Sequence, residues 1–228
     1  MPSEKKTKIQ RCAALILFLS LALSVVYCAV KLFVLPPASD SDTLRTRSDY
    51  LLMLMQCILG LCVMSLPSLM AKKWRLMLPT AIHVMYYAFL YCAVFLGEVF
   101  SFYDLIPCWD TILHFSSGAM LAALGVILID FLNHEERIRI SLSPLFVSLF
   151  AFCFALAMGA VWEIYEYIAD GLLGLNMQKF ILADGTVLSG RLALTDTMDD
   201  LIIDALAALI VAAAAYIFNP ARKKTNPR

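Results

Sequence analysis

The 228-residue chain balances 18 Lys and Arg against 18 Asp and Glu, and 61% of its residues are hydrophobic. Soluble domains run at about 45–50% apolar, so a mean hydropathy of +0.80 excludes an ordinary soluble domain. The zero net charge offers no basic surface of the kind that draws nucleic acid.

The apolar residues gather in six blocks, at about 12–34, 50–71, 76–97, 109–132, 145–170 and 197–218. Each has about the 20 residues that a helix needs to cross a hydrocarbon core of about 30 Å. The chain therefore reads as a single all-α, polytopic membrane domain over 1–228, with six transmembrane helices. Lys5, Lys6, Lys8 and Arg11 precede the first block, as in a signal peptide, but its apolar run exceeds an h-region of about 7–15 residues. Pro67 is expected to kink or end the second span. In the third span, His83 among Tyr86, Tyr87 and Tyr91 reads as a hydrogen-bonded packing residue. Seven cysteines without a CxxC pair read as small apolar residues.

The fourth and fifth spans and the loop after them differ in kind. The fourth span opens with Trp109-Asp110 and carries His114; the fifth carries Glu163, Glu166 and Asp170. Gly171 suits the position just past a helix end. In the 171–196 loop, two β-prone runs flank Asp184-Gly185, a type I′ hairpin signal. Thr197 and Asp200 form a capping-box pattern that starts the sixth helix near Thr197. Trp74, Tyr103 and Trp109 suit interfacial aromatic belts.

Lysine and arginine set the orientation. Thirteen lie at one set of ends (residues 5, 6, 8, 11, 72, 73, 75, 137, 139, 222, 223, 224 and 228) and five at the other (31, 45, 47, 179 and 191). Both termini are thus expected in the cytoplasm, with loops 36–49, 98–107 and 171–196 outside. The basic tail also suits contact with anionic lipid.

Ionisable residues inside spans are rare because each costs about 2.5–3.5 kcal/mol at a helix centre. Here they fall on stripes. Asp110, His114 and Gly118 step by four, as do Asp196, Asp200 and Asp204; Gly159, Glu163, Glu166 and Asp170 step by four, three and four. Residues so spaced share one helix face. With alternating span direction, five carboxylates (Asp110, Glu163, Glu166, Asp196, Asp200) and the His114 imidazole converge near the outer membrane face. Asp199 leaves the stripe and is expected to meet water. Ser117, Gly118, Ala122 and Gly125, with Ala157, Gly159 and Ala160, supply small residues for close helix contact.

The ordered motifs Trp-Asp-x-x-x-His-Phe-x-x-Gly at 109–118, Trp-Glu-x-x-Glu at 162–166 and Asp-Thr-x-x-Asp-Leu at 196–201 resemble the YjdF family of bacterial inner-membrane proteins. The Asp-x-x-x-His element is more loosely similar to VanZ-type proteins, although no arginine stands at the start of the last helix, Arg191 being nearest. The resemblance covers roughly 105–218. It implies a multi-pass plasma-membrane protein of unestablished activity whose defining positions are Asp110, His114, Glu163, Glu166, Asp196 and Asp200.

Five carboxylates at one level need a compensating cation, shared protons, or a basic partner such as Arg191 or Lys179. Oxygen ligands with one imidazole suit a divalent metal, with Glu163 and Glu166 as bridging ligands or the catalytic base. The expected substrate is then a lipid or lipid-linked group at the outer leaflet. The other readings are a proton- or cation-coupled transporter and a non-catalytic polar network tying three helices together. The orientation has its own test. A variant whose sole cysteine is Cys108 should react with an impermeant maleimide on intact cells, and reaction only after permeabilisation would invert the topology.

Overall fold

The computed structural model describes residues 4–34, 45, 47–74, 78–134, 142–182 and 185–218, apart from the side chains of residues 4–6, 74 and 134. Arg75, Arg137, Arg139, the basic tail, Asp184 and the ring of Trp74 lie outside the described residues. The helices are α1 (Glu4–Val34), α2 (Arg47–Val63), α3 (Leu66–Trp74), α4 (Thr80–Leu90), which continues as a π-helix over Tyr91–Val99, α5 (Phe102–Leu105), α6 (Trp109–His134), α7 (Pro144–Leu173) and, after a 3-10 turn at Leu192–Leu194, α8 (Thr195–Phe218). Among the described residues six stretches are long and apolar enough to cross a membrane: Thr7–Val34, Arg47–Lys73, Thr80–Val99, Trp109–Asn133, Pro144–Leu173 and Leu192–Phe218. The chain is an all-α polytopic protein, as its composition requires.

Two compact units divide it, one comprising residues 1–113 with 173–175, the other 114–172 with 176–228. In the first, α1, α2, α4 and the π-helix share a core of Leu17, Leu21, Cys57, Tyr87, Leu90 and Val94. The second span breaks at Pro67, which has no N–H to continue the ladder. The carbonyls this frees find side-chain donors: the Ser65 hydroxyl donates to Cys62 O at 2.7 Å and the Tyr86 hydroxyl to Val63 O at 2.6 Å. His83 is buried with Nδ1 3.2 Å from Pro79 O, the packing role read from the sequence. The π-helix also loosens the α-helical pairing of carbonyls, and the Trp109 indole N–H donates to Cys92 O at 3.3 Å. At its end the Arg45 guanidinium donates to Val99 O at 2.9 Å and to the Ser101 hydroxyl, placing a cation where the helix dipole is negative. Of the seven cysteines, only Cys28 and Cys57 are buried.

The second unit is built on small residues. Ala122, Ala155 and Ala208, one from each of α6, α7 and α8, form a fully buried cluster. A methyl group on Gly125 would stand 2.9 Å from Ala151 Cα, and one on Gly118 2.8 Å from the Asp204 carbonyl oxygen. Backbones in such contact gain the dispersion and hydrogen bonding that replace the hydrophobic effect between helices in lipid. Of the small residues singled out above, Ala157 is exposed and takes no part. The buried positions of α7 are Val147, Ser148, Ala151, Ala155, Gly159, Glu163, Glu166, Ala169 and Asp170. Leu145, Leu149, Val161, Ile164, Ile168 and Leu172 face out. The polar and small residues are inside and the bulky apolar ones outside, the pattern of a helix solvated by acyl chains.

Two helix ends are corrected, and the hairpin pairing is present. The α7 helix runs three residues past Asp170, so Gly171 is helical and the left-handed residue that ends the helix is Gly174, at φ 65°. The α8 helix begins at Thr195, because the preceding 3-10 turn has already started the spiral. Thr197 therefore lies within the first turn, and its hydroxyl accepts a hydrogen bond from Gln178 Nε2 at 2.8 Å. In the 174–194 loop, Ile181 and Val187 form an antiparallel bridge. Leu182 N donates to Thr186 O and Gly185 N to Leu182 O, with Gly185 at φ 83°. The antiparallel pairing is the hairpin expected there, while the turn at Asp184-Gly185 falls in part outside the described residues.

Each glycine assignment carries a stability consequence. Gly171 has nothing within 4 Å of an added Cβ, so Gly171→Ala should raise stability in detergent by about 0.5–1 kcal/mol. Gly174→Ala should lower it by about 1 kcal/mol, because φ is positive there, and Gly125→Leu by about 1–3 kcal/mol through overpacking. Thermal midpoints of the three variants check the set.

Candidate functional site

The polar stripes of α6, α7 and α8 are buried. His114 is 6% exposed, Glu163 4%, Glu166 7%, Asp200 5% and Asp204 2%, inside helices whose outer faces are apolar. Burying an ionised carboxylate costs several kcal/mol unless charge or hydrogen bonds replace its water. Each acid therefore has to be asked what replaces it.

His114 stands between two aspartates of α8. Its Nε2 is 3.7 Å from Asp200 Oδ2 and its Nδ1 3.4 Å from Asp204 Oδ2. Asp110 is held one turn before His114 by the unbroken α6 helix. Asp110, His114 and Asp200 each offer one ligand atom, and the three atoms lie within 4.8 Å of one another. Two ligands of one zinc-like ion sit about 3.4 Å apart, at bonds of about 2.1 Å and a tetrahedral angle. The His114–Asp200 pair is thus close to that spacing already. Two carboxylates and one imidazole also suit a divalent cation in charge and in hardness.

Glu163, Glu166 and Asp196 stand outside this triad. Glu166 Oε1 accepts the Trp162 indole N–H at 2.9 Å, a bond between residues i and i+4 on one helix. Asp196 Oδ1 is paired with Lys179 Nζ at 2.8 Å, so the basic partner foreseen among Lys179 and Arg191 is the lysine. Neither oxygen of Glu163 has a hydrogen-bond partner among the described residues. The Thr197 hydroxyl and the Gln178 amide stand within donor reach of it, and the His114 ring acts on it electrostatically; the Thr197 hydroxyl accepts from Gln178 Nε2 and keeps its own proton to give. Glu163 is a buried acid with donors within reach and no closed hydrogen bond.

The residues that frame the site from the loop left little sequence signal. Asp170 accepts the backbone N–H of Met177 at 2.8 Å and of Gln178 at 3.0 Å. Asn176 exchanges two 2.8 Å bonds with the backbone of Ile181. Between these clamps Lys179 adopts φ 47°, unusual for a residue with a side chain. Gln178, Lys179 and Asn176 are polar residues in a loop, and nothing in their spacing marks them. Asp204 was visible as the third member of its stripe. Asp199 is exposed, as its departure from the stripe predicts. Glu98, one residue past the expected end of the third span, is within electrostatic reach of Arg45, Asp104 and Asp110.

Comparison with known proteins agrees on the class. A family described as "Predicted membrane protein (DUF2238)" matches residues 15–221, and this chain belongs to it. An uncharacterized protein of Thermotoga maritima is 30% identical over 132 residues, covering 58% of this chain and 57% of its own length. The chain therefore spans little more than half of that relative. No solved structure matches.

The loop clamp is open to measurement. Asp170→Ala removes two charge-assisted acceptors, each worth about 1.5–3 kcal/mol. The amides of Met177 and Gln178 should then exchange with deuterium tenfold faster or more, while those of the α7 core stay unchanged.

Proposed function

We propose that this membrane protein binds one divalent metal ion through Asp110, His114 and Asp200, and uses it to act on a lipid or lipid-linked group. The observation that carries the reading is Glu163, a buried carboxylate with both oxygens unpartnered beside a ligand set of suitable spacing. A cation in the triad would supply the missing positive charge. A water or substrate group held by that ion would supply the missing donor. A divalent ion bound there would supply Lewis-acid chemistry, and Glu163 would be the residue placed to take a proton. Glu166, fixed by Trp162, holds the negative charge of that wall. Asp196 with Lys179 forms the rim, where the lysine can meet an anionic head group.

The site lies in the first turns of α6 and α8 and the last turns of α7. With both termini cytoplasmic, as the basic residues require, it belongs to the outer half of a bacterial plasma membrane. Substrate would reach it from the outer leaflet past the exposed apolar face of α7. The YjdF resemblance is compatible with this assignment and adds no reaction to it.

Cation or proton transport is the competing use of intramembrane acids. It is disfavoured by what lies one turn below Asp204. There Ala122, Ala155 and Ala208 close the three helices with no exposed surface, and the next polar side chain on the inward face of α7 is Ser148. A site that ends on packed alanines suits chemistry at a face better than passage through it.

Metal analysis and conversion decide between these readings. Purified wild type should hold about one divalent ion per chain and lose it in Asp110→Ala, His114→Ala and Asp200→Ala. Glu163→Gln should keep the ion. In proteoliposomes of a bacterial polar lipid extract with Mn²⁺, wild type should generate lipid products that Glu163→Gln does not. Bound metal with no conversion, together with cation flux that Glu163→Gln abolishes, would replace the enzyme reading with transport. Absence of metal from the wild type would end both metal readings.

A further inference from the structure

Asp204 does more than deepen the acidic stripe. It is 2% exposed, the most buried of the site's acids. Its Oδ2 approaches His114 Nδ1 at 3.4 Å, and its Oδ1 lies 3.5 Å from the Ser117 hydroxyl. That hydroxyl also donates to the His114 carbonyl at 2.9 Å. The other ring nitrogen of His114, Nε2, is the one directed toward Asp200. Asp204 and the triad thus engage opposite sides of one imidazole.

We propose that Asp204 is the positioning residue of the metal site: it accepts the Nδ1 proton of His114, and so fixes the tautomer whose Nε2 lone pair faces Asp200. The inference rests on the metal reading given above. An imidazole binds metal through a nitrogen that carries no proton, and the hydrogen bond at the other nitrogen decides which one that is. Asp204 sits on the wrong side of the ring to be a ligand of the same ion. Its charge still matters, because a carboxylate behind the ring raises the basicity of the ligand nitrogen. At 3.4 Å the contact is longer than an ideal N–H···O bond of about 2.9 Å, and it has room to tighten when the ring takes up a cation.

The backbone around Asp204 is shaped to admit it. A Cβ on Gly159 would lie 2.2 Å from Asp204 Oδ2, and one on Gly118 would lie 2.8 Å from the Asp204 carbonyl oxygen and 3.0 Å from its Cα. Two helices give up their side chains where this one acid stands, one opposite its carboxylate and one opposite its backbone. Close helix packing alone would explain Gly118. It does not explain Gly159, whose vacancy is filled by the carboxylate. A seat of this kind holds the carboxylate against the ring and leaves it no second rotamer on the α7 side.

Mn²⁺ binding to the full chain in detergent, followed by electron paramagnetic resonance, tests the assignment. Wild type should bind one Mn²⁺ and show the nitrogen coupling of a bound imidazole. Asp204→Asn keeps shape and acceptor but loses charge, and should weaken Mn²⁺ binding about tenfold. Asp204→Ala should weaken it about 100-fold, the upper end for loss of such a partner, and should erase or broaden the nitrogen coupling even at saturating Mn²⁺. Gly159→Ala, which displaces the carboxylate and leaves every ligand in place, should fall between wild type and Asp204→Ala. A role in packing alone would lower the thermal midpoint of the metal-free protein and leave Mn²⁺ affinity and nitrogen coupling as in wild type; that result for Asp204→Asn and Gly159→Ala overturns the inference. If Asp204→Ala does not fold, the isosteric Asp204→Asn with Gly159→Ala decides alone. Wild type that binds no Mn²⁺ overturns the metal reading and this inference together, whereas wild type that binds while the variants bind equally well overturns only this one.

Discussion

The His114 ring, with Asp200 facing one nitrogen and Asp204 the other, is the contact on which the second unit of the fold depends. A carboxylate placed in an apolar helix is tolerated only where another group replaces the water it has lost. Here one imidazole serves two acids, and it can do so only if α8 comes within side-chain reach of α6. That approach fixes what the neighbouring positions hold. Gly118 and Gly159 have no side chain because the Asp204 backbone and carboxylate occupy that space. One turn deeper the same three helices meet through Ala122, Ala155 and Ala208. The small residues of this unit and its acids are therefore one feature: the acids require the closeness, and the small residues permit it.

The two units solve the packing problem differently. The first fills its core with Leu17, Leu21, Tyr87, Leu90 and Val94, as a soluble bundle would, and bends its helices at Pro67 and in the π-helix. Each bend frees backbone carbonyls, and Tyr86, Ser65 and Trp109 supply the donors. No water is at hand in a bilayer core to do this, so the polar side chains of the first unit are spent on backbone. In the second unit His114, Asp200, Asp204 and Ser117 are directed at one another as well as at backbone.

Most of the architecture could be read from the sequence, because lipid imposes a length and a polarity on each span. The six spans match the six apolar blocks to within a few residues at nearly every end, and the stripes at spacings of three and four mark the faces that turn inward. The ends of helices were less legible. Gly171 and Gly174 both follow plausible last turns, and only backbone geometry shows which is left-handed. Thr197 has the pattern of an N-cap, but a 3-10 turn two residues earlier had already begun the helix. Side-chain partners were least legible. The pairing of Lys179 with Asp196 and of Gln178 with Thr197 depends on the path of a loop whose turn chemistry gave only a hairpin.

Most of the site's acids have a partner. Asp196 is neutralised by Lys179, Glu166 accepts the Trp162 indole N–H, and Asp170 accepts two backbone N–H groups of the loop it clamps. Asp200 and Asp204 share His114. A purely structural network would have extended the same treatment to Glu163, for leaving one buried carboxylate without a donor forfeits several kcal/mol. Thr197 and Gln178 stand beside it with a proton each still to give, because Thr197 is the acceptor in the bond between them, yet neither closes a hydrogen bond to it. Among the described residues Glu163 is the carboxylate with neither oxygen in a hydrogen bond. A group that the protein leaves unsatisfied there is a group held ready for something that arrives from outside it.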